Sequence, residues 1–357
     1  MFRARAVWLS FALLIAWNFA DAQLRVALLP FNNAAARESA RELVESYSQK
    51  YLARRGIVTV DADSVNHVLR SLRIRNTALP TNADLGALAD SLDVTLVILG
   101  TIHRFSLDSA FSEATVCARL IDVSTMQMVW SECATAAGGG EHAIVSSPVH
   151  RHANKLAKSV TKRLFSSLSA KLREPRYRVE ELVVKNRSVR QRIPCSTVAV
   201  IPPLDEAENS VSGNMIGDLL VNALARRGFR VVDPGQVRDI MLQCEDLRHG
   251  QSVNTVSTAL ADSLGVELVI TGSVSELTST RIVSLGTSPE AAIELRMITP
   301  SNNVVVWAKN FRSSGKSGSS LFGIGTIHSP SRLVTRMVDS AVSDLRVVRR
   351  RNTLTSQ

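Results

Sequence analysis

The chain has 357 residues, 45% of them hydrophobic and 21% charged, with a formal net charge of +10. That balance belongs to a globular protein with room for two ordinary domains and excludes a disordered or fibrous one. Aromatic residues make up only 5% and leave little material for base stacking. In a cytosolic protein such a charge would suggest nucleic acid; in an exported one it points toward anionic headgroups, cell-wall polymers or acidic protein faces.

The first 22 residues read as an export signal. Arg3 and Arg5 form a basic start, Val7 to Trp17 an apolar run, and Ala20-Asp21-Ala22 a small-residue cleavage site. The run is shorter than the roughly 20 residues a spanning helix needs; an uncleaved anchor is the alternative. Cleavage would start the mature chain at Gln23 and leave a net charge of +9, because Arg3, Arg5 and Asp21 depart. A lipid anchor would need a cysteine at that point, whereas the first cysteine is Cys117. The expected location is the periplasm, with peripheral contact as the most intimate association with the outer membrane.

A buried strand over 24–30 follows, then a turn and a helix whose stripe is Ala40, Leu43, Val44, Tyr47 and Tyr51. The helix closes on two arginines and Gly56, which supply last-turn cations and a stop. A second strand leads to Asp61, placed as the N-cap of a second helix. A third helix, a long strand ending near Gly100, a hairpin and a helix over about 149–169 complete the unit.

The same order then returns. Residues 25–31, 51–61 and 87–100 reappear at 197–203, 223–233 and 259–272, all at a shift of 172. Residues 119–130 match 296–307 at a shift of 177, with Trp130 on Trp307. The second copy has its helix stripe at Ile216, Leu219, Leu220 and Ala223, its stop at Gly228, its N-cap at Asp233 and Pro234 at the first helical position. Its long strand ends near Gly272 and its last helix covers about 329–347. Alternating strand and helix patterns imply an α/β (α+β) fold, a mixed β-sheet packed by helices, in two tandem copies. The boundaries read as copy one over 23–172, a basic linker over 173–194, copy two over 195–348 and a basic disordered tail over 349–357.

The linker's cations Arg173, Arg176, Arg178, Lys185, Arg187, Arg190 and Arg192 are candidate contacts to an anionic surface. A solvated linker with one short strand at Glu181–Val184 is the plainer alternative. The basic run over 346–351 has the same two readings.

These motifs carry a family resemblance. A strand ending in Leu-Pro-Phe at 29–31, a helix closing on Arg54-Arg55-Gly56, a strand into Asp61, a strand running to Gly100 and a hairpin ending in Val129-Trp130 together resemble the CsgG/LpoB-like domain family. That class takes in curli-assembly and TolB N-terminal-like domains. The resemblance covers nearly all of the mature chain, once per copy. It implies the fold closely and function loosely, since such members include pores, activators and structural ring parts. It also implies envelope proteins or peptidoglycan as partners and self-assembly as an option.

A curli-like channel would need an anchoring cysteine and membrane hairpins with strands of about 9–11 alternating residues. The segment 103–115 is too short for two of these, 276–292 is interrupted by Gly286 and Pro289, and 313–327 is rich in Gly and Ser. The first reading is therefore a non-enzymatic periplasmic adaptor or assembly factor, and an oligomeric outer-membrane secretion channel is the alternative.

Catalytic and cofactor chemistry finds no footing. The Gly-Lys-Ser at 315–317 has Asn310 where a phosphate loop needs glycine. His142, His150 and His152 lack helical metal-ligand spacing. The acids common to both copies, Asp61/Asp233 and Asp90/Asp262, read as caps and helix-surface residues. No enzyme, metal or cofactor is expected. The cysteines say more. A hairpin centred near Thr125 sets Leu120 opposite Trp130 and Cys117 opposite Cys133, on the partly exposed face that carries Arg119 and Ser131. An oxidising compartment would join this pair, although a slip of one residue would separate it. Cys244 aligns with Leu72 as a core residue and Cys195 precedes a strand as an unpaired thiol; a bridge between them is the other option.

Overall fold

A computed structural model of the chain describes residues 25–107, 112–138, 153–171, 177–186, 189–195, 197–206, 212–244, 253–277, 288–317, 325–343 and 345–351. The first mixed sheet takes the order β3 (Val58–Thr59), β1 (Arg25–Leu28), β4 (Leu96–Leu107), β5 (Ser112–Asp122) and β6 (Gln127–Gly138). The short β2 (Asn32–Asn33) lies beside β4. The first three strands are parallel and the last two antiparallel.

The second sheet repeats this topology as β11 (Arg230–Val231), β9 (Thr197–Val200), β12 (Leu268–Leu277), β13 (Glu290–Thr299) and β14 (Val304–Ser314). Here β10 (Leu204–Asp205) lies beside β12. Even the register repeats: Val26 pairs with Leu96 as Val198 pairs with Leu268.

Each sheet buries an apolar row on both faces, as the two-residue period of a strand allows. On one face of the first sheet, α1 (Glu38–Arg54) and α4 (Ala153–Leu164) pack Val44, Leu52, Leu156 and Val160 against Val26, Ile98, Leu120 and Trp130. On the other face, α2 (Ala62–Ser71) and α3 (Asn82–Leu92) set Leu69 and Leu88 against Ala27, Leu29 and Val97. In the second unit α6 (Ser212–Arg227) and α9 (Pro330–Ser343) take the first role. There α7 (Pro234–Gln243) and α8 (Val253–Leu264) take the second. Truncating a fully buried leucine such as Leu88 or Leu260 to alanine costs about 2–5 kcal/mol in such a core.

The helix ends follow the local chemistry. Gly56 and Gly228 adopt φ of +75° and +95°, the left-handed region glycine enters without a Cβ penalty. Beyond them Ile57 N–H donates to the Leu52 carbonyl, and Phe229 N–H to that of Leu224. Asp61 accepts from Ser64 N–H at 3.0 Å, and Asp233 from Gly235 N–H at 2.7 Å. The start of α3 carries a capping box between Thr81 and Asp84.

Four expectations are corrected. The long strands do not end at Gly100 and Gly272 but run on to Leu107 and Leu277. Gly100 sits mid-strand because the Phe31 ring occupies the space a Cβ would need. The region between the units carries more than the one short strand expected at Glu181–Val184. β7 (Tyr177–Asn186) and β8 (Val189–Pro194) form a hairpin, and β15 (Arg346–Arg351) pairs with β7 in a third sheet. Arg349, Arg350 and Arg351 are thus strand residues, not tail, because a distant segment supplies the partner a lone strand lacks. Finally, α4 ends at Leu164, followed by the short α5 (Leu168–Lys171), and α9 ends at Ser343.

Among the described residues no helix is long and apolar enough to cross a membrane. Of the segments weighed as membrane hairpins, 103–107 and 112–115 belong to β4 and β5 of the helix-packed sheet. Residues 278–287 and 318–324 lie outside the described residues.

Candidate functional site

Every residue of β5 from Ser112 to Ile121 is buried, on both faces of the strand. The face bearing Trp130 is covered by helices of its own unit. The opposite face bears Thr101, His103, Thr115, Cys117 and Arg119, and α6 of the second unit covers it. His103 Nε2 lies 2.8 Å from Asp218 Oδ2. Cys133 Sγ lies 3.6 Å from the Asp218 carbonyl oxygen. With its amide oriented to satisfy both groups, Asn222 donates to the Ser131 carbonyl at 2.9 Å and accepts from Cys133 N–H at 3.3 Å. Asn222 therefore satisfies the outward backbone groups of Ser131 and Cys133 on the free edge of β6.

Deeper in the same interface, Arg119 Nε pairs with Asp233 Oδ1, and Arg119 Nη2 donates to the Ala78 carbonyl. The Arg119 side chain is 6% exposed and that of Asp233 0%. Removing one member of so buried a pair strands the other charge, at a cost of about 3–5 kcal/mol. The Asp233 carboxylate also caps α7, so one side chain fixes a helix start and joins the units. Gly235 is needed beside it, because a Cβ there would meet the Pro80 carbonyl oxygen. Gln236 Nε2 donates to the Met126 carbonyl at 3.0 Å, and Met128 packs on the core of the second unit.

A disulfide joins Cys117 to Cys133, at positions opposed in the β5–β6 register. The expectation that their face is partly exposed is corrected for Cys117, which is 5% exposed beneath the second unit. His103, Cys117 and Asp218 form a group of potential metal ligands within 4.8 Å of one another. The Cys117 sulfur, however, is held in the disulfide and offers no thiolate. The other two cysteines are unbridged, and Cys244 is less buried than the core position expected of it. Cys195 is the buried one, its thiol pushed up to about 12 by burial and then by Glu267. Cys244 is half-buried at the C-cap of α7.

The anionic-contact candidates divide between strands and undescribed segments. Arg178 and Lys185 lie on β7, Arg190 and Arg192 on β8, while Arg173, Arg176 and Arg187 lie outside the described residues. Lys185 is paired in register with Arg190, and Arg178 with Arg350. The histidines His142, His150 and His152 also lie outside the described residues.

No protein-family model matches this chain, and no curated protein matches it. Solved structures similar to part of it include a PelC dodecamer from Paraburkholderia phytofirmans, at 19% identity and a TM-score of 0.30, covering 43% of this chain and 89% of that one. Lipoprotein GNA1162 from Neisseria meningitidis is 17% identical with a TM-score of 0.30, over 45% of this chain and 99% of its own. The LpoB C-terminal domain from Salmonella enterica is 17% identical with a TM-score of 0.26, over 36% of this chain and 86% of its own.

Sequence reasoning read Asp233 as a plain helix cap and missed its pairing with Arg119. A signal was present. Arg119 and Arg296 align in the repeat, as do Asp61 and Asp233. Opposite charges kept at matched positions of two copies can meet across them.

Proposed function

We propose that this chain is a non-enzymatic adaptor or assembly factor of the bacterial cell envelope, exported by residues 1–22, that works by binding protein or peptidoglycan. The observation that carries the reading is the third sheet. Its three strands hold eight Lys/Arg residues against two glutamates, Glu180 and Glu181. The register sets Lys185 opposite Arg190 and Arg178 opposite Arg350. So dense a run of cations suits an anionic polymer or acidic protein face, and the net charge of +10 draws such a partner in.

Absence of catalysis belongs to the same proposal. The residues that the two copies share serve packing, capping and the inter-unit ion pair. His103 and Asp218, which could exchange a proton, bond to each other beneath the packed face.

Co-sedimentation with purified peptidoglycan, alongside cross-linking in intact cells, tests the reading. Binding should fall when Arg190 and Arg192 are both replaced by Glu. A protein that neither sediments with the wall nor cross-links to envelope proteins would refute it.

A further inference from the structure

The face that is covered in the first sheet is open in the second. Along β13 the residues Ala291, Ile293, Leu295 and Met297 are buried, whereas Glu290 and Glu294 are exposed and Arg296 is half-buried. Beside them Ala308, Asn310 and Arg312 of β14 are exposed. The registers of the two sheets identify the matching positions. Arg119 pairs with Leu99 and Ser131, and Arg296 pairs with Thr271 and Ala308. Arg296 therefore stands where Arg119 stands, without an ion-pair partner among the described residues. The partner of Arg119 is Asp233, and the residue in that position of the first unit is Asp61. Asp61 is exposed, and its partners among the described residues are the N–H and hydroxyl of Ser64.

A second, apolar observation points the same way. The tip of the β5–β6 hairpin reaches the second unit, and Gln127 and Arg230 line one crevice there. At the matching positions stand Val304, 48% exposed, and Val58, 39% exposed, with Val305 at 49% in the place of Met128. Among the described residues five large hydrophobics are exposed. Three of the five thus sit on the two surfaces that the repeat would bring together.

We propose that the open face of the second sheet binds the first unit of another copy of this chain. In that contact Arg296 pairs with Asp61 and Val304–Val305 pack near Val58, repeating between chains the contact that joins the units within one chain. Such an interface is head-to-tail: each molecule offers a different surface at each end, so association continues into a ring or filament and does not stop at a symmetric pair. The contact between chains is the weaker one. Glu294 and Asn310 replace the disulfide cysteines, and α1 offers Ser46 and Lys50 where α6 offers Asp218 and Asn222. It involves neither the basic sheet nor any anionic partner, so it stands or falls separately from the adaptor reading.

Sedimentation velocity on the full mature chain across a range of concentrations is the test. Mass should rise with concentration, and Arg296→Asp or Asp61→Arg should each weaken self-association by about tenfold or more. Combining the two substitutions in one chain should restore it, which separates a lost contact from a misfolded variant. In a Cys244→Ser background, a mixture of the Asp61→Cys and Arg296→Cys variants should cross-link as dimers, and the chain carrying both should give a ladder. A monomer at every concentration would overturn the proposal and leave the open face to a different protein. So would association indifferent to both charge reversals, or cross-links formed by either cysteine variant alone.

Discussion

The first and second sheets share strand order, register and helix placement, yet β5 of the first is buried on both faces while the matching β13 of the second leaves one face open. The difference lies in a single layer of residues. His103, Cys117, Arg119 and Cys133 are covered by α6 and α7 of the second unit, while Ser275, Glu294, Arg296 and Asn310 meet no such cover among the described residues. A duplicated fold thus fixes the cores of both copies and leaves their outer faces to diverge. α6 shows the consequence: Val221 and Asn222 are 3% and 4% exposed, whereas their counterparts on α1 are Gln49 and Lys50.

Parallel substitutions would break that comparison most directly. Arg119→Ala should destabilise by about 3–5 kcal/mol because it leaves Asp233 charged and buried. Arg296→Ala, measured in dilute monomer, should change stability by less than about 1 kcal/mol. Urea unfolding of the two variants measures both, and equal effects would mean that the two faces are equally covered. The next largest effect belongs to the bridge. Replacing Cys117 and Cys133 with serine opens a loop with a sequence separation of 16 and should cost about 3 kcal/mol. The oxidised and reduced wild type should differ by a similar amount in thermal unfolding.

A smaller, kinetic contrast concerns the free thiols. Iodoacetamide should label Cys244 in the native protein and reach Cys195 only after unfolding, since burial holds the Cys195 thiol protonated up to about pH 12. Mass spectrometry of labelled peptides would show this. The smallest effect is a pH slope confined to the first unit. Burial raises the Glu45 pKa above the ordinary 4.5, against the lowering by the Phe31 N–H that it accepts at 2.8 Å and by Arg41. The folded state therefore binds the proton more tightly than the unfolded chain. Stability should fall as pH rises from about 4.5 through the raised folded value, then level off. Glu45→Gln should flatten that slope in melting curves taken across it. The second unit has Gly217 at this position and should contribute no such term.

The elements themselves were readable in the sequence because their causes are local or periodic. Gly56 and Gly228 end helices, Asp61 and Asp233 begin them, and apolar positions fall at helix or strand spacing. The opposition of Cys117 and Cys133 followed from a hairpin register that only neighbouring residues set. The burial of Cys195 and the half-exposure of Cys244 were not readable, because a flanking position says nothing of what packs over it. The sheet formed by residues 177–194 and 346–351 was likewise hidden, since its strands lie far apart in the chain.

By itself, the sequence determined a duplicated sheet-and-helix unit, its caps, its cores and the cysteine pairing, all of which depend on contacts within one copy. Only the tertiary structure decided that Arg119 and Asp233 bond across the copies, that the disulfide face is interior, and that the matching face of the second sheet lies open. Those outcomes depend on how two finished surfaces dock. Docking leaves no period in the sequence, because the residues that meet are brought together from separate elements after each unit has folded.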